Sequence, residues 1–238
     1  MIETTKAIVI NTIKYGDTSL IATCYTEKYG KKAYILKGVL KAKKAKIKAA
    51  YFQPLMQLNL TANHNNKGNL NSLRDAEVLN FYNSVYTDLK KQSIALFLAE
   101  ILYYSIQEEE HNADLFQYLE TSFLWLDVHD KVSNFHLLFL LNLTKFLGFY
   151  PELNHVEYPY FDLVEGSFTT KKHSQVILGE NLVQFKKLLG INFDVLSQIN
   201  FSSTNRQTIL NMLIKYFELH LSGFKKPKSL PILKSVFN

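Results

Sequence analysis

The hydrophobic period of the chain changes at residue 79, and this change constrains the fold more than any other feature. Before it, five short apolar segments are separated by turn signals at roughly ten-residue spacing, which is typical of strands in a small closed barrel. After it, apolar residues recur at helical spacing. We therefore expect an α+β chain, with an N-terminal five-stranded OB-like β-barrel at residues 1–78 and an all-α helical domain at residues 79–238. An SH3-like barrel is compatible with the same strands.

The expected elements follow from short apolar runs and from their bounding Gly, Asn, Asp and Pro residues. Asn112 and Ser133 are the predicted N-caps of the second and third helices. Residues 151–177 lose the helical period and predict a small hairpin insert. The predicted strands are 6–13, 19–26, 33–36, 52–61 and 70–78. The predicted helical segments are 79–110, 115–126, 135–149, 182–189, one that starts at Val195, and 206–221, and the chain continues to a final apolar stretch at 230–237.

A run of nine lysines lies between residues 28 and 48, and no acidic residue follows Glu27 within it. A charge run is often only a solvated face, and that interpretation stays open. Here a strand-forming segment, Ala33–Leu36, and a turn at Gly38 interrupt the run, so we expect the lysines to project from the edge of a rigid sheet. Such a surface favours a polyanion. The lysines are Lys28, Lys31, Lys32, Lys37, Lys41, Lys43, Lys44, Lys46 and Lys48.

Charge is unevenly divided along the chain. Residues 1–78 carry 13 Lys and Arg against 5 Asp and Glu, whereas residues 79–238 carry 14 against 16. This asymmetry predicts a basic binding module joined to a near-neutral body. Arg74 and Arg206 are the only arginines. Because lysine is a point charge suited to phosphates rather than to bidentate reading of guanine, we expect binding without sequence specificity.

Several classes of protein are disfavoured. Cys24 is the only cysteine, so an intramolecular disulfide is impossible and a cytosolic location is expected. No signal-peptide pattern opens the chain, and no stretch reaches the roughly 18 apolar residues of a membrane span. Phosphate-binding glycine loops, a nucleophile elbow and an HExxH pair are missing from the sequence. We therefore expect no enzyme, no catalytic residue, no cofactor and no metal site.

Four tyrosines lie on or beside the basic strands and are candidates for stacking on nucleobases. A place in the barrel core is an equal alternative for each of them. They are Tyr25, Tyr29, Tyr34 and Tyr51, and Tyr34, in the middle of the third predicted strand, is the one included in the expected DNA-binding set.

The order and spacing of several short motifs resemble the bacterial recombination-mediator family RecO. The resemblance spans the whole chain, although each motif alone is weakly specific. The motifs are Asp17-Thr18-Ser19, Thr26-Glu27-Lys28-Tyr29-Gly30, Lys37-Gly38-Val39-Leu40-Lys41, Phe52-Gln53-Pro54-Leu55, Leu147 to Leu153 and Lys228 to Leu233.

The resemblance implies an N-terminal OB-fold followed by a helical domain. It implies binding of single- and double-stranded DNA, annealing of complementary strands, and partnership with RecR and with the C-terminal tail of the single-strand-binding protein in loading the RecA recombinase. A bacterial cytoplasmic, nucleoid-associated location follows from the same resemblance. By position, Lys37, Lys41, Lys43 and Lys44 would face DNA, and Lys31, Lys32, Lys46 and Lys48 would extend the site.

One departure from the family concerns zinc. Many members carry a four-cysteine zinc-ribbon-like insert, and the corresponding places here are His155, Tyr158, Thr170 and His173. Since a structural zinc site takes four ligands, we expect none, and we expect the insert to be held by packing of Tyr158, Tyr160, Phe161 and Phe168.

Two other functions remain open at this stage. The basic run of a non-enzymatic interaction scaffold would bind an acidic partner protein instead of DNA. A peripheral binder of anionic membranes is disfavoured, because no strongly amphipathic basic helix is evident.

Overall fold

The computed structural model describes residues 2–41, 46–64, 70–107 and 111–237. Five strands close into a barrel in the order β1-β2-β3-β5-β4. Strands β3 and β5 are parallel, and the other neighbouring pairs are antiparallel. The structure confirms the OB-like barrel followed by helices. The strands are β1 Ile2–Tyr15, β2 Ser19–Thr26, β3 Gly30–Leu36, β4 Gln57–Asn63 and β5 Leu70–Val78.

Strand β1 is longer than predicted because it pairs with two neighbours in turn. Its first half pairs with β4 and its second half with β2. The predicted strand at 52–61 begins too early, since Ala49–Phe52 form a 3-10 helix and Leu55 has a φ of +66°. The Leu55 N–H donates to the Val9 carbonyl at 2.7 Å, which leads the chain into β4 at Gln57.

Six α-helices follow the barrel in the described residues. The third is buried over most of its length, as its apolar sequence predicts. The Asn112 side chain accepts from the Leu115 N–H at 2.9 Å, which confirms that N-cap. Ser133 is not an N-cap; Asn134 holds that position and donates instead to the Ile199 carbonyl. The helices are α1 Leu89–Ser105, α2 Ala113–Val128, α3 Phe135–Phe146, α4 Gly179–Lys186, α5 Ser203–His220 and α6 Leu230–Val236.

Between α3 and α4 lies a three-stranded sheet. It comprises β6 Tyr160–Asp162, β7 Ser167–Thr169 and β8 Val176–Leu178, in the order β7-β6-β8. The predicted hairpin corresponds to β6 and β7, and β8 was not predicted. Phe161 is fully buried, with its ring centroid 5.1 Å from that of Phe168 and 5.0 Å from that of Phe185.

The barrel and the helical body share a packed boundary. Ile8, Ile10 and Tyr25 point out of the barrel and belong to the same hydrophobic core as α1, α2 and α3. A separate cluster, which includes Ala7, Val9 and Tyr34, fills the barrel interior. One end of the outer face of the barrel is therefore covered by helices.

Candidate nucleic-acid interface

The outer face of strands β1, β2 and β3 is divided into a covered half and an open half. The register of β1 and β2 shifts between Val9 and Asn11, so one additional residue enters β1 there. Before the shift, Ile8 and Tyr25 pack against the helical body. Beyond it, Ile13 lies opposite Ile21, and Ile21 lies opposite Ile35. Directly opposed residues share a face of a sheet, so these three isoleucines form a row across the strands.

This isoleucine row, Ile13, Ile21 and Ile35, is accessible to solvent. Ile13 is 51% exposed, and Ile21 and Ile35 are half-buried. Tyr15 lies two residues beyond Ile13, on the same face by strand alternation, and is 54% exposed. In OB-folds the face of strands 2 and 3 binds oligonucleotides. The open half is thus an apolar surface at the place where that fold binds nucleic acid.

A cleft of about 250 Å³ adjoins the isoleucine row on the β5 side. Its floor is apolar, and three cations, Lys37, Lys46 and Arg74, line it. The Lys46 ammonium lies 2.6 Å from a carboxylate oxygen of Asp75. The apolar lining residues are Ile35, Leu36, Val39, Ile47 and Leu73.

The predicted lysines divide into distinct groups. Lys37, Lys41, Lys46 and Lys48 are exposed, and Lys37 and Lys46 line the cleft beside the open half. Lys32 is half-buried and shares the inward alternation of β3 with Tyr34. The predictions for Lys43 and Lys44 fall outside the described residues.

Lys31, a predicted DNA contact, lies where the barrel meets the helical body. Its ammonium donates to the carbonyl oxygens of Tyr103 at 2.6 Å and Ile106 at 2.7 Å, at the end of α1. Burial lowers the pKa of this lysine. This contact attaches the barrel to the helical body, and a role of Lys31 in binding DNA remains a prediction.

Tyr34, the tyrosine of the predicted DNA-binding set, lies in the barrel interior. Its side chain is fully buried in the barrel core, and its hydroxyl lies 3.0 Å from Nε2 of His64. A buried ring offers no face to a nucleobase. Tyr25 is also buried, and Tyr29 donates to the Glu3 carboxylate, which raises the pKa of Tyr29 to about 12.

Sequence reasoning missed Tyr15 and Arg74. The predicted first strand ends at Ile13, and continuing its alternation by two residues would have placed Tyr15 on the outer face. Arg74 lies in the fifth predicted strand. In an OB-type strand order β3 and β5 are neighbours, so this order would have placed Arg74 beside the third strand.

The helical body contains an aromatic cavity of about 370 Å³ between α2, α3 and the 3-10 helix Phe193–Gln198. Its aromatic wall is formed by Tyr118, Trp125, Phe146 and Phe193. Lys145 also lines the cavity. The indole Nε1 of Trp125 is buried and has no hydrogen-bond partner among the described residues. Burial lowers the pKa of Lys145. The cavity thus combines an apolar wall with one cation, Lys145, and one acidic residue, Asp194.

The insert does not fit a zinc ion. The Gln175 N–H donates to His173 Nδ1 at 3.2 Å, so that nitrogen is unprotonated, and Nε2 therefore donates to Asp162 at 2.9 Å. Both ring nitrogens are occupied. His155 stacks on Tyr158 with the rings 5° from parallel. Within the described ranges no three His, Cys, Asp or Glu residues are grouped to hold a metal ion.

The described helices are all too short or too polar to cross a membrane.

Two family models together match most of the chain. The model described as Recombination protein O N terminal matches residues 1–82, and that described as Recombination protein O C terminal matches residues 86–231. DNA repair protein RecO of Christiangramia forsetii is 47% identical over 234 residues, which are 98% of both chains. The protein of the same name from Flavobacterium johnsoniae is 46% identical over 98% of both chains, and that from Bacteroides fragilis strain YCH46 is 37% identical over the whole of both. The chain therefore belongs to the RecO family of DNA repair proteins.

Proposed function

We propose that this protein is a non-enzymatic recombination mediator of the bacterial cytoplasm that binds single- and double-stranded DNA and anneals complementary strands. With RecR and the single-strand-binding protein it would help to load RecA. The observation that supports DNA binding best is the open half of the barrel face, where an apolar row is flanked by exposed cations. The names of its relatives supply the repair context.

Lysines around the open half suit a phosphate backbone. Lys37, Lys41 and Lys48 are exposed, and Lys46 and Arg74 line the adjoining cleft. Each phosphate neutralised releases condensed counterions, which makes the affinity strongly dependent on salt. Neutralising two backbones at once reduces their repulsion, so annealing would need no catalytic group.

Fluorescence anisotropy of a labelled single strand at several salt concentrations tests the binding. We expect log K to fall linearly with log salt, with a slope of about −0.7 for each phosphate contacted. Lys37→Glu combined with Lys41→Glu should abolish most of the binding and reduce that slope. The matched control is Lys171→Glu with Lys172→Glu, two exposed lysines of the helical body.

Two outcomes would contradict DNA binding at this face. Equal losses in both double variants would indicate a general charge effect. If the wild-type protein does not bind DNA even at low salt, the basic surface would instead bind an acidic protein partner. That is the scaffold function left open by the sequence.

Annealing and loading are tested separately. Mixing two complementary strands labelled with a donor and an acceptor dye should show faster pairing with the wild-type protein and no requirement for a nucleotide cofactor. Filament formation by RecA on a strand coated with single-strand-binding protein should accelerate only when RecR is also present.

The aromatic cavity of the helical body is the proposed binding site for the acidic tail of the single-strand-binding protein. The cation of Lys145 suits a carboxylate, and the ring wall suits an apolar side chain. A tail peptide should change the fluorescence of Trp125, the only tryptophan. Lys145→Ala should weaken binding of the peptide. Lys131→Ala, which removes another exposed lysine of the helical body, should not. Binding that both variants leave unchanged would contradict this location.

A further inference from the structure

Tyr15 differs from the other tyrosines of the barrel in the surface that it offers. Tyr25 and Tyr34 are buried, and Tyr29 is held by Glu3. Tyr15 is 54% exposed, and no hydrogen bond or ring contact joins its side chain to another described residue. It therefore presents an unoccupied aromatic surface.

The position of Tyr15 places that surface beside the isoleucine row. Tyr15 ends β1 and lies opposite Ser19, next to the pair formed by Ile13 and Ile21. These residues follow the register shift, so they share the open half of the barrel face rather than the half that packs on the helices. An aromatic ring at the end of an apolar row offers a base a stacking surface together with an apolar floor.

The charges around this surface suit a polyanion. Lys14 precedes Tyr15 and is exposed, while Lys37 and Arg74 lie on the β3 and β5 side of the row. Asp17, in the turn after β1, is the acidic residue nearest to Tyr15 in sequence. Lys14 lies on the opposite face of β1 by strand alternation. A nucleic-acid strand crossing the row would thus find cations on the β3 and β5 side for its phosphates, and the apolar row with Tyr15 for its bases.

We propose that Tyr15 stacks on an unpaired base and thereby makes the open face select single strands over duplexes. The proposal rests on the proposed DNA binding and adds a strand-selecting residue to it. Every base has a π-face, so stacking is tolerant of sequence. In a duplex those faces are covered by neighbouring base pairs, so a duplex can use the cations but not Tyr15.

The test compares Tyr15→Ala and Tyr15→Phe in binding to a labelled single strand and to the matching duplex. Stacking is worth about 1–3 kcal/mol per base, so Tyr15→Ala should weaken single-strand binding by about 5- to 150-fold. Its salt slope should be unchanged because no phosphate contact is lost. Binding of the duplex should be unaffected, and Tyr15→Phe should retain the wild-type affinity for both.

Phe81→Ala is the matched control, since Phe81 is 77% exposed in the segment between β5 and α1, away from the row. It should leave both affinities unchanged, and melting curves should show all variants folded. Tyr15→Ala could weaken the binding of single strand and duplex equally, or weaken neither while the wild-type protein binds both. Either result would contradict the proposed role of Tyr15 but not the proposed DNA binding. If the wild-type protein binds neither, the proposed function itself fails.

Discussion

The ammonium of Lys31 lies 2.6 Å from the carbonyl oxygen of Tyr103, and 4.6 Å from the centre of its ring. The same ammonium reaches the Ile106 carbonyl, so it binds the carbonyls that the end of α1 leaves without helical partners. A cation at a helix C-terminus also interacts favourably with the negative end of the helix dipole. One lysine of the basic run thus fastens the barrel to the helical body.

We expect Lys31→Met to destabilise the protein without weakening DNA binding. The substitution keeps the apolar stem but leaves two carbonyls of α1 without their donor. The free energy of unfolding should fall by about 1.5–3 kcal/mol, the range for a hydrogen bond to a charged group. Denaturant unfolding measures this loss, and anisotropy should show an unchanged salt slope.

Lys37→Met is the matched comparison, because Lys37 is exposed and lines the cleft. The Lys37→Met variant should have the free energy of unfolding of the wild-type protein but a lower affinity for DNA. A Lys31→Met variant that is fully stable but binds DNA poorly would show that Lys31 contacts the ligand after all.

The segment between β5 and α1 is fixed by Asp127 at the end of α2. Its carboxylate accepts the backbone N–H groups of Asn83 at 2.9 Å, Ser84 at 2.8 Å and Val85 at 3.1 Å. Burial would raise the pKa of Asp127, but these donors together hold it below its ordinary value. The charged form is therefore the one that the fold stabilises.

Asp127→Asn should lower the free energy of unfolding by about 1–3 kcal/mol near neutral pH, since the amide group cannot accept all three N–H bonds. A carboxyl with a lowered folded pKa contributes stability above its unfolded pKa, about 3.9, and loses it as pH falls through the folded pKa. The difference between variant and wild type should therefore shrink in acid. Melting curves across pH measure it, with the exposed Asp130→Asn as control. A difference that is constant with pH would contradict this role of the charge.

A hydrogen bond joins His173, which precedes β8, to Asp162 at the end of β6. His173 also accepts the Gln175 N–H, so His173→Ala removes two hydrogen bonds. We expect a loss of about 1–3 kcal/mol in the free energy of unfolding and no effect of a chelator on the melting temperature of the wild type. His155→Ala removes an exposed ring and should have little effect. Stoichiometric zinc in the purified protein, or a chelator-induced fall in melting temperature, would contradict this prediction.

The barrel and the helices could be predicted because their signals are local. Alternation and turn residues identify strands, and the change of period at residue 79 separates them from the helices. The Asn112 cap was also predictable, because a cap acts within three residues. The linker before α1 was not, since its residues 83–85 are bound by Asp127, which is distant in sequence.

The sequence could not show where the side chains of two predicted site residues lie, and the reason is the same for both. A four-residue run such as Ala33–Leu36 shows that a strand exists but does not show which side chains face the barrel interior. Tyr34 faces inward because β3 pairs so that it lies opposite the buried Ala22 and Asn71. Likewise, Lys31 binds Tyr103, 72 positions away in the sequence. Composition could therefore locate the basic surface but could not separate its ligand-binding members from its structural ones.

Asp75 restrains one cation of the cleft. Its carboxylate accepts from Lys46 at 2.6 Å, and this hydrogen bond lowers the pKa of Asp75. Asp75→Asn would remove the negative charge and leave Lys46 for the phosphates of a bound strand. We expect single-strand affinity to rise by roughly 2- to 10-fold at about 50 mM salt, and the gain to shrink by about 200 mM as screening increases. Glu77→Gln removes an exposed charge from the same strand without releasing Lys46. If it raises the affinity as much as Asp75→Asn does, the gain comes from net charge alone, and the pairing of Asp75 with Lys46 does not limit binding.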